Sequence, residues 1–171
     1  VIVIEWYVLR TASGKEQTAL TILHKLFSAV EVIYPRKRIS WRKQGSIINL
    51  VRPLFNGYLF ISSTKEKIGE FDQLLRRCNL NFAWLLYTTG SLLPIMNEEK
   101  QLIQKLIGNN GIAEMSTVEK YDNQLQVVSG PLVGLEHIVT KVSRRNRRIT
   151  VEISVLDEKR KVELEGDFIT N

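Results

Sequence analysis

The sequence predicts an α+β chain in two parts: mixed helices and strands over residues 1–108, and a small all-β domain over residues 124–171. A linker at 109–123 is expected between them. Three observations carry this reading. Apolar residues recur at helical spacing in three places before residue 108, each beside a capping pattern. Periodicity and apolar density both fade over 109–123. Five short β-prone runs then crowd into about 45 residues, the texture of a small barrel.

In order, WYVLRT at 6–11 is β-prone and runs into Ser13-Gly14-Lys15-Glu16. There Ser13 and Glu16 match a capping box, each serving the other's backbone donor. Ala19, Ile22, Leu23, Leu26 and Phe27 follow at helical spacing, which predicts a helix to about Ala29. VEVIYPRKRISW at 30–41 resumes a strand, and Gln44-Gly45-Ser46 is a turn between two extended arms. PLFNGYLFIS at 53–62 is an almost continuous apolar strand, broken by Asn56-Gly57. A second capping box, Ser63 to Glu66, opens a helix with Ile68, Phe71, Leu75 and Cys78 on one face. Asn97 is expected to cap a third, which buries Leu102, Ile103, Leu106 and Ile107 and ends at Gly108. Beyond the linker, strands are expected at 126–128, 136–142, 149–156, 161–164 and 168–170. Gly130 and Gly134 bracket Pro131 where a small barrel must turn tightly. Ile138, Thr140 and Val142, then Ile149, Val151, Ile153 and Val155, supply one inward face per strand.

A composition of 44% hydrophobic and 25% charged residues is that of a folded chain, not a disordered one. No apolar run is long enough to cross a bilayer. VIVIEWYV at the start lacks the basic opening and the length of a secretory signal. Cys78 alone excludes an intramolecular disulfide framework, and with His24 and His137 it offers no zinc-ligand spacing. No metal and no cofactor is therefore expected, and the chain reads as cytoplasmic. A phosphate-binding glycine loop and a nucleophile with a partner are both missing, so it does not read as an enzyme. Glu98 and Glu99 suit a helix N-terminus rather than an acid–base pair.

The net charge of +6 favours polyanionic partners. Its distribution says more. From Tyr121 onward there are eight basic and eight acidic residues, yet Arg144, Arg145, Arg147 and Arg148 gather around Asn146 in one turn. Such a run is unfavourable unless solvent or an anion relieves it. It is either a solvated tip or a phosphate-binding surface. Arginine suits RNA because its planar fork grips phosphate, reads guanine edges and stacks on exposed bases. Asn146 can adopt turn geometry and read a base edge, while Lys141, Lys159, Arg160 and Lys161 could extend the same positive face. Arg36, Lys37, Arg38, Trp41, Arg42 and Lys43 form a second basic stretch. It is either a solvated hairpin with Trp41 folded back, or a phosphate-and-stacking surface.

Several segments converge on one family. Trp6-Tyr7-Val8 before a helix, LFNGYLFI at 54–61 and LPIMNEEKQLI at 93–103 resemble the amino-terminal domain of bacterial NusG-type transcription factors. VVSGPLVGLEHIVTKV at 127–142, with VELEGDFI at 162–169, resembles their KOW motif. The resemblance implies an antiparallel sheet with flanking helices joined to an SH3-like KOW barrel. It also implies a monomer that docks on the clamp helices of RNA polymerase through Phe55, Asn56, Gly57 and Tyr58. The two aromatics would then be partly exposed; the alternative is that both are core. It further implies non-template DNA as a candidate contact of the 36–43 stretch. Three departures matter. Asn56 stands where the family has proline. Val155-Leu156-Asp157-Glu158 replaces the aromatic-glycine pair used for Rho and a ribosomal protein, so those partners are not expected. The Arg-rich turn is most similar to LoaP-type antiterminators, which recognise an RNA hairpin. An RfaH-type paralogue recruited by DNA, a general NusG and a ribosome-associated KOW protein are the alternatives. The carboxy-terminal domain is expected to be β throughout, because its β-branched residues lose rotamer freedom in helices.

Overall fold

The computed structural model describes residues 1–169; Thr170, the end of the expected strand 168–170, and Asn171 lie outside them. In chain order the elements begin with β1 (Glu5–Thr11), α1 (Glu16–Leu26), β2 (Glu31–Ile33), β3 (Arg36–Lys43) and β4 (Ser46–Pro53). Then come β5 (Tyr58–Ser63), α2 (Lys65–Arg77), β6 (Ala83–Leu85), α3 (Asn97–Ile107) and β7 (Ile112–Ala113). β8 (Ser116–Tyr121), β9 (Gln124–Ser129), β10 (Val139–Ser143), β11 (Arg148–Val155) and β12 (Glu158–Ile169) follow. The chain separates into two compact units. One holds Val1–Tyr34 and Phe55–Lys100; the other holds Pro35–Leu54 and the chain from Gln101 onward. The segment 35–54 thus groups with the carboxy-terminal half, unlike the expected 1–108 boundary.

The first unit is built on an antiparallel sheet of order β2-β5-β1-β6. Strand alternation sends Tyr7 and Leu9 of β1, with Leu59 and Ile61 of β5, into one buried cluster. Helical spacing brings Ala19 and Leu23 of α1, and Ile68, Phe71 and Leu75 of α2, onto the same cluster. Helix starts differ in detail from expectation. α1 has no side-chain cap; Glu16 is instead buried, and its Oε1 accepts from the Gly57 amide at 2.7 Å. The helix ends at Leu26 rather than Ala29. α2 is capped by Thr64, one residue past Ser63, with its hydroxyl accepting from Lys67 N at 3.3 Å. Asn97 opens α3 from within, and Glu99 Oε1 accepts from Met96 N at 2.9 Å. Tyr34-Pro35 breaks the expected 30–41 strand into β2 and β3.

In the second unit β3 and β4 form a hairpin closed by Gln44 and Gly45, both at positive φ (51° and 79°), as a two-residue primed turn requires. β7 adds to β3 in parallel. The larger sheet runs β10-β11-β12-β8-β9, all antiparallel except the β12–β8 pair. Ile149, Val151, Ile153 and Val155 of β11 are buried as the alternation predicts. β10 departs from it. It is an edge strand with a bulge between Val139 and Lys141, and Thr140 and Val142 are exposed. The first part of the expected strand 136–142 is a 3-10 turn, Glu136–Ile138. The expected strand at 161–164 and the described part of that at 168–170 merge into the single long β12. The stretch read as a linker holds β7 and β8, which are short and half polar and so leave little apolar periodicity to detect. Gly130 is required by its surroundings: at φ +97°, a Cβ would lie 2.6 Å from Met115 O and from Ser116 Cα. From Ser116 to Ile169 the only helical turn is Glu136–Ile138.

Candidate nucleic-acid interface

The β10–β11 turn divides its four arginines. Ser143 pairs with Arg148 across the turn, and the left-handed residue is Arg147 (φ +54°), not Asn146. Register sets Arg148 opposite Glu165 of β12. Arg148 Nη1 lies 2.6 Å from Glu165 Oε2, and its Nη2 donates to Ser40 O at 2.5 Å. Arg147 faces Glu165 at 3.4 Å, without hydrogen-bond geometry, and Asp167 at 3.6 Å. Glu165 also accepts from Ser40 N at 2.9 Å and from Ser40 Oγ at 2.5 Å. The side chains of Glu165 and Arg148 are only 6% and 12% exposed, so this is a desolvated cluster. Arg144, Arg145 and Asn146 are exposed, and among the described residues no carboxylate pairs with Arg144 or Arg145.

The β3–β4 hairpin supplies the second basic stretch, and it too divides. Lys37 Nζ donates to Glu163 O at 2.7 Å. Burial holds the Lys37 ammonium below the ordinary lysine range; the Glu163 carboxylate pulls it back up and Arg148 pushes it down. Arg38 pairs with Glu114 at 2.9 Å, and Arg36 is half-buried. Trp41, Arg42 and Lys43 remain exposed, Trp41 to 58%. A cleft of about 420 Å³ lies between Trp41, Arg42 and Ile47 of the hairpin and Lys141, Arg145 and Asn146 beside the Arg turn. Part of each predicted basic set therefore meets.

Lys159, Arg160 and Lys161 do not join them. They oppose Ser154, Ile153 and Glu152, toward the end of β11 remote from the Arg turn. At roughly 3.4 Å per residue, Ser154 is about 20 Å along the strand from Arg148. Lys159 approaches Glu152 at 3.6 Å and Arg160 approaches Glu158 at 3.4 Å. Sequence reasoning missed Glu165 and Ser40. The available signal was the neutral charge total after Tyr121: four clustered arginines in a neutral segment leave carboxylates free to pair with some of them.

In the first unit, the expectation that Phe55 and Tyr58 are partly exposed is corrected. They are 4% and 3% exposed. Phe55 packs edge-on to Phe60 with centroids 6.2 Å apart, and Arg10 lies 5.3 Å above the Tyr58 ring. Gly57 sits at φ +77°, where a Cβ would meet Thr11 O at 2.8 Å. Asn56 is the exposed member of the four.

A family model described as NusG, "Transcription termination factor nusG", matches residues 4–104. The chain belongs to the NusG family. Its relatives include the transcription termination/antitermination protein NusG of Deinococcus radiodurans, 24% identical over 189 residues, covering 95% of this chain and 96% of that protein. The NusG of Thermus thermophilus, with the same description, is 25% identical over 176 residues and 95% of both chains. A solved structure described as "Domain interaction in Thermotoga maritima NusG" matches with a TM-score of 0.58 at 17% identity. It covers 95% of this chain and 94% of that one, which shows the two-domain NusG fold.

Within that family frame, the β11–β12 turn falls on Leu156 and Asp157, both at positive φ (51° and 63°) with neither a glycine. No described helix is long and apolar enough to cross a membrane, and no described cluster of His, Cys, Asp or Glu could hold a metal ion.

Proposed function

We propose that this NusG-family chain is a specialised transcription antitermination factor of the LoaP-like kind. In this reading the amino-terminal unit docks on the clamp helices of RNA polymerase. Asn56 lies at the contact surface, and Phe55 and Tyr58 hold that surface from beneath. The KOW-bearing unit recruits the factor to chosen transcripts through a structured RNA hairpin, and the bound factor promotes processive read-through. One observation carries the RNA assignment. Arg144 and Arg145 stand exposed, without carboxylate partners among the described residues, on a turn whose other two arginines are anchored by Glu165. Their forks are left for phosphates and base edges. An A-form stem hides its bases in a deep, narrow groove, so the hairpin should carry a bulge, mismatch or loop. The strands between Ser116 and Ile169, interrupted only by the Glu136–Ile138 turn, support a factor that keeps its KOW domain folded rather than storing it as helices.

The test titrates the full chain against a bulged RNA stem-loop enriched from a randomised pool, its scrambled version and duplex DNA of the same sequence, at several salt concentrations. It is paired with read-through of a terminator by purified bacterial polymerase. Preference for the enriched RNA and hairpin-dependent read-through are expected. Equal affinity for all three, with only a salt-dependent term, would leave a general electrostatic surface and defeat the proposal.

A further inference from the structure

We infer that Trp41 belongs to the same RNA site as the Arg turn, stacking on a base splayed out of the stem while Arg145 and Asn146 approach it from the opposite wall. This rests on the RNA reading above and extends it to the β3–β4 hairpin. The sequence places Trp41 about a hundred residues from the turn; the structure closes that gap through one residue. Ser40, its immediate neighbour, is held on three atoms: its N and Oγ donate to Glu165, and its O accepts from Arg148. Lys37 adds a fourth tie to Glu163 O. The backbone that carries Trp41 is thereby fixed to the strands that carry the Arg turn.

The side chains around the cleft have the composition of a base-stacking site. The Trp41 indole is 58% exposed, and Arg42, Lys141 and Arg145 line the same cleft. A cleft of about 420 Å³ falls in the range that holds small organic ligands, and so admits a single nucleobase with its sugar. Every base presents a π-face, and base–aromatic stacking beside a cationic track is how single-stranded segments are gripped. A paired stem offers no such face, because its bases are stacked on each other. The ligand class is therefore a bulged or looped RNA, with the unpaired nucleotide as the anchor. Arg144 lies outside the cleft, in position to neutralise a flanking phosphate.

The experiment uses the full chain and two RNA probes that share one stem: one fully paired, the other with a single 2-aminopurine bulge. Trp41→Ala should weaken binding of the bulged probe roughly ten- to hundred-fold and leave the paired probe unchanged. Trp41→Phe should restore most of the loss. Quenching of 2-aminopurine by the wild-type chain should disappear in Trp41→Ala. Because Trp41 is exposed, the thermal transition should not move. Equal losses on both probes, or no loss on the bulged probe, would overturn the stacking role while leaving the RNA reading intact. A bulged DNA duplex that binds as tightly and is quenched as strongly would overturn the assignment to RNA. Failure of the wild-type chain to prefer any RNA over duplex DNA would overturn both.

Discussion

Glu165→Ala should be among the most damaging single changes in the second unit. Its carboxylate faces Arg148 at 2.6 Å and accepts from Ser40 N and Oγ at 2.9 and 2.5 Å. Each charge-assisted hydrogen bond is worth about 1.5–3 kcal/mol. The contributions do not simply add, because the mutant no longer has to desolvate a carboxylate. What remains is a guanidinium only 12% exposed with no counter-ion, and breaking such a buried pair costs about 3–5 kcal/mol. Glu165→Gln keeps the shape and one acceptor, and should lose less. Replacing both partners with apolar residues, Arg148→Met with Glu165→Leu, should recover much of the loss, since the uncompensated charge is then gone. Native-state hydrogen exchange on the full chain is the appropriate measurement because it separates the two units. In Glu165→Ala the Ser40 amide should lose its acceptor and exchange rapidly. The Ile149 and Val151 amides should exchange about a hundred- to several-thousand-fold faster. A loss below about 1 kcal/mol with the Ser40 amide still protected would refute this account of the cluster.

The arginines of the turn should separate by assay. Arg144→Ala should weaken all RNAs alike and flatten the salt dependence by roughly one unit. Arg145→Lys, which keeps charge but loses the fork, should reduce preference for the enriched hairpin. Neither should change the unfolding midpoint, whereas Arg148→Ala should lower it. Gly130→Ala should destabilise by at least about 1–3 kcal/mol in urea unfolding, since its Cβ would collide with backbone that cannot swing away. Tyr7 is pushed up to about 12, first by burial and then by the charge of Glu5, which also accepts its hydroxyl. A raised folded-state pKa means this stability is full below about pH 10 and is lost as pH climbs toward 12. Tyr7→Phe should remove that part of the alkaline unfolding curve, and tyrosinate absorbance during the titration checks it.

The elements were legible where one periodicity ruled a whole segment. β11 alternates without interruption from Ile149 to Val155, and α2 keeps Ile68, Phe71 and Leu75 in phase. Ends were less legible, because capping depends on single atoms. Ser13 and Glu16 fit a capping box, yet Glu16 found a better donor in the Gly57 amide, forty-one residues away. Thr64 and Ser63 are chemically equivalent as caps, and only the backbone path chooses between them. β8 escaped because its inward positions include Ser116, a polar residue buried to receive the Leu132 amide. The candidate site was half visible. Residue types named both basic stretches, but nothing local could show that Ser40 bridges them, or that Lys159 reaches Glu152 of β11.

The tie between Ser40 and Glu165 spans 125 positions of the chain, and that separation has a consequence for synthesis. At about 5–20 residues per second, the β3–β4 hairpin leaves the ribosome some 6–25 s before the strand that clamps it exists. A two-stranded ribbon alone is marginally stable in water. Until β7 is made and pairs with β3, Trp41, Ile47 and Ile48 are displayed on a nascent ribbon with no neighbouring strand to hold its backbone in place. β12 thus fixes the shape of a strand made long before it, and a chain stopped short of Glu165 would carry its indole on a hairpin without the clamp at Ser40.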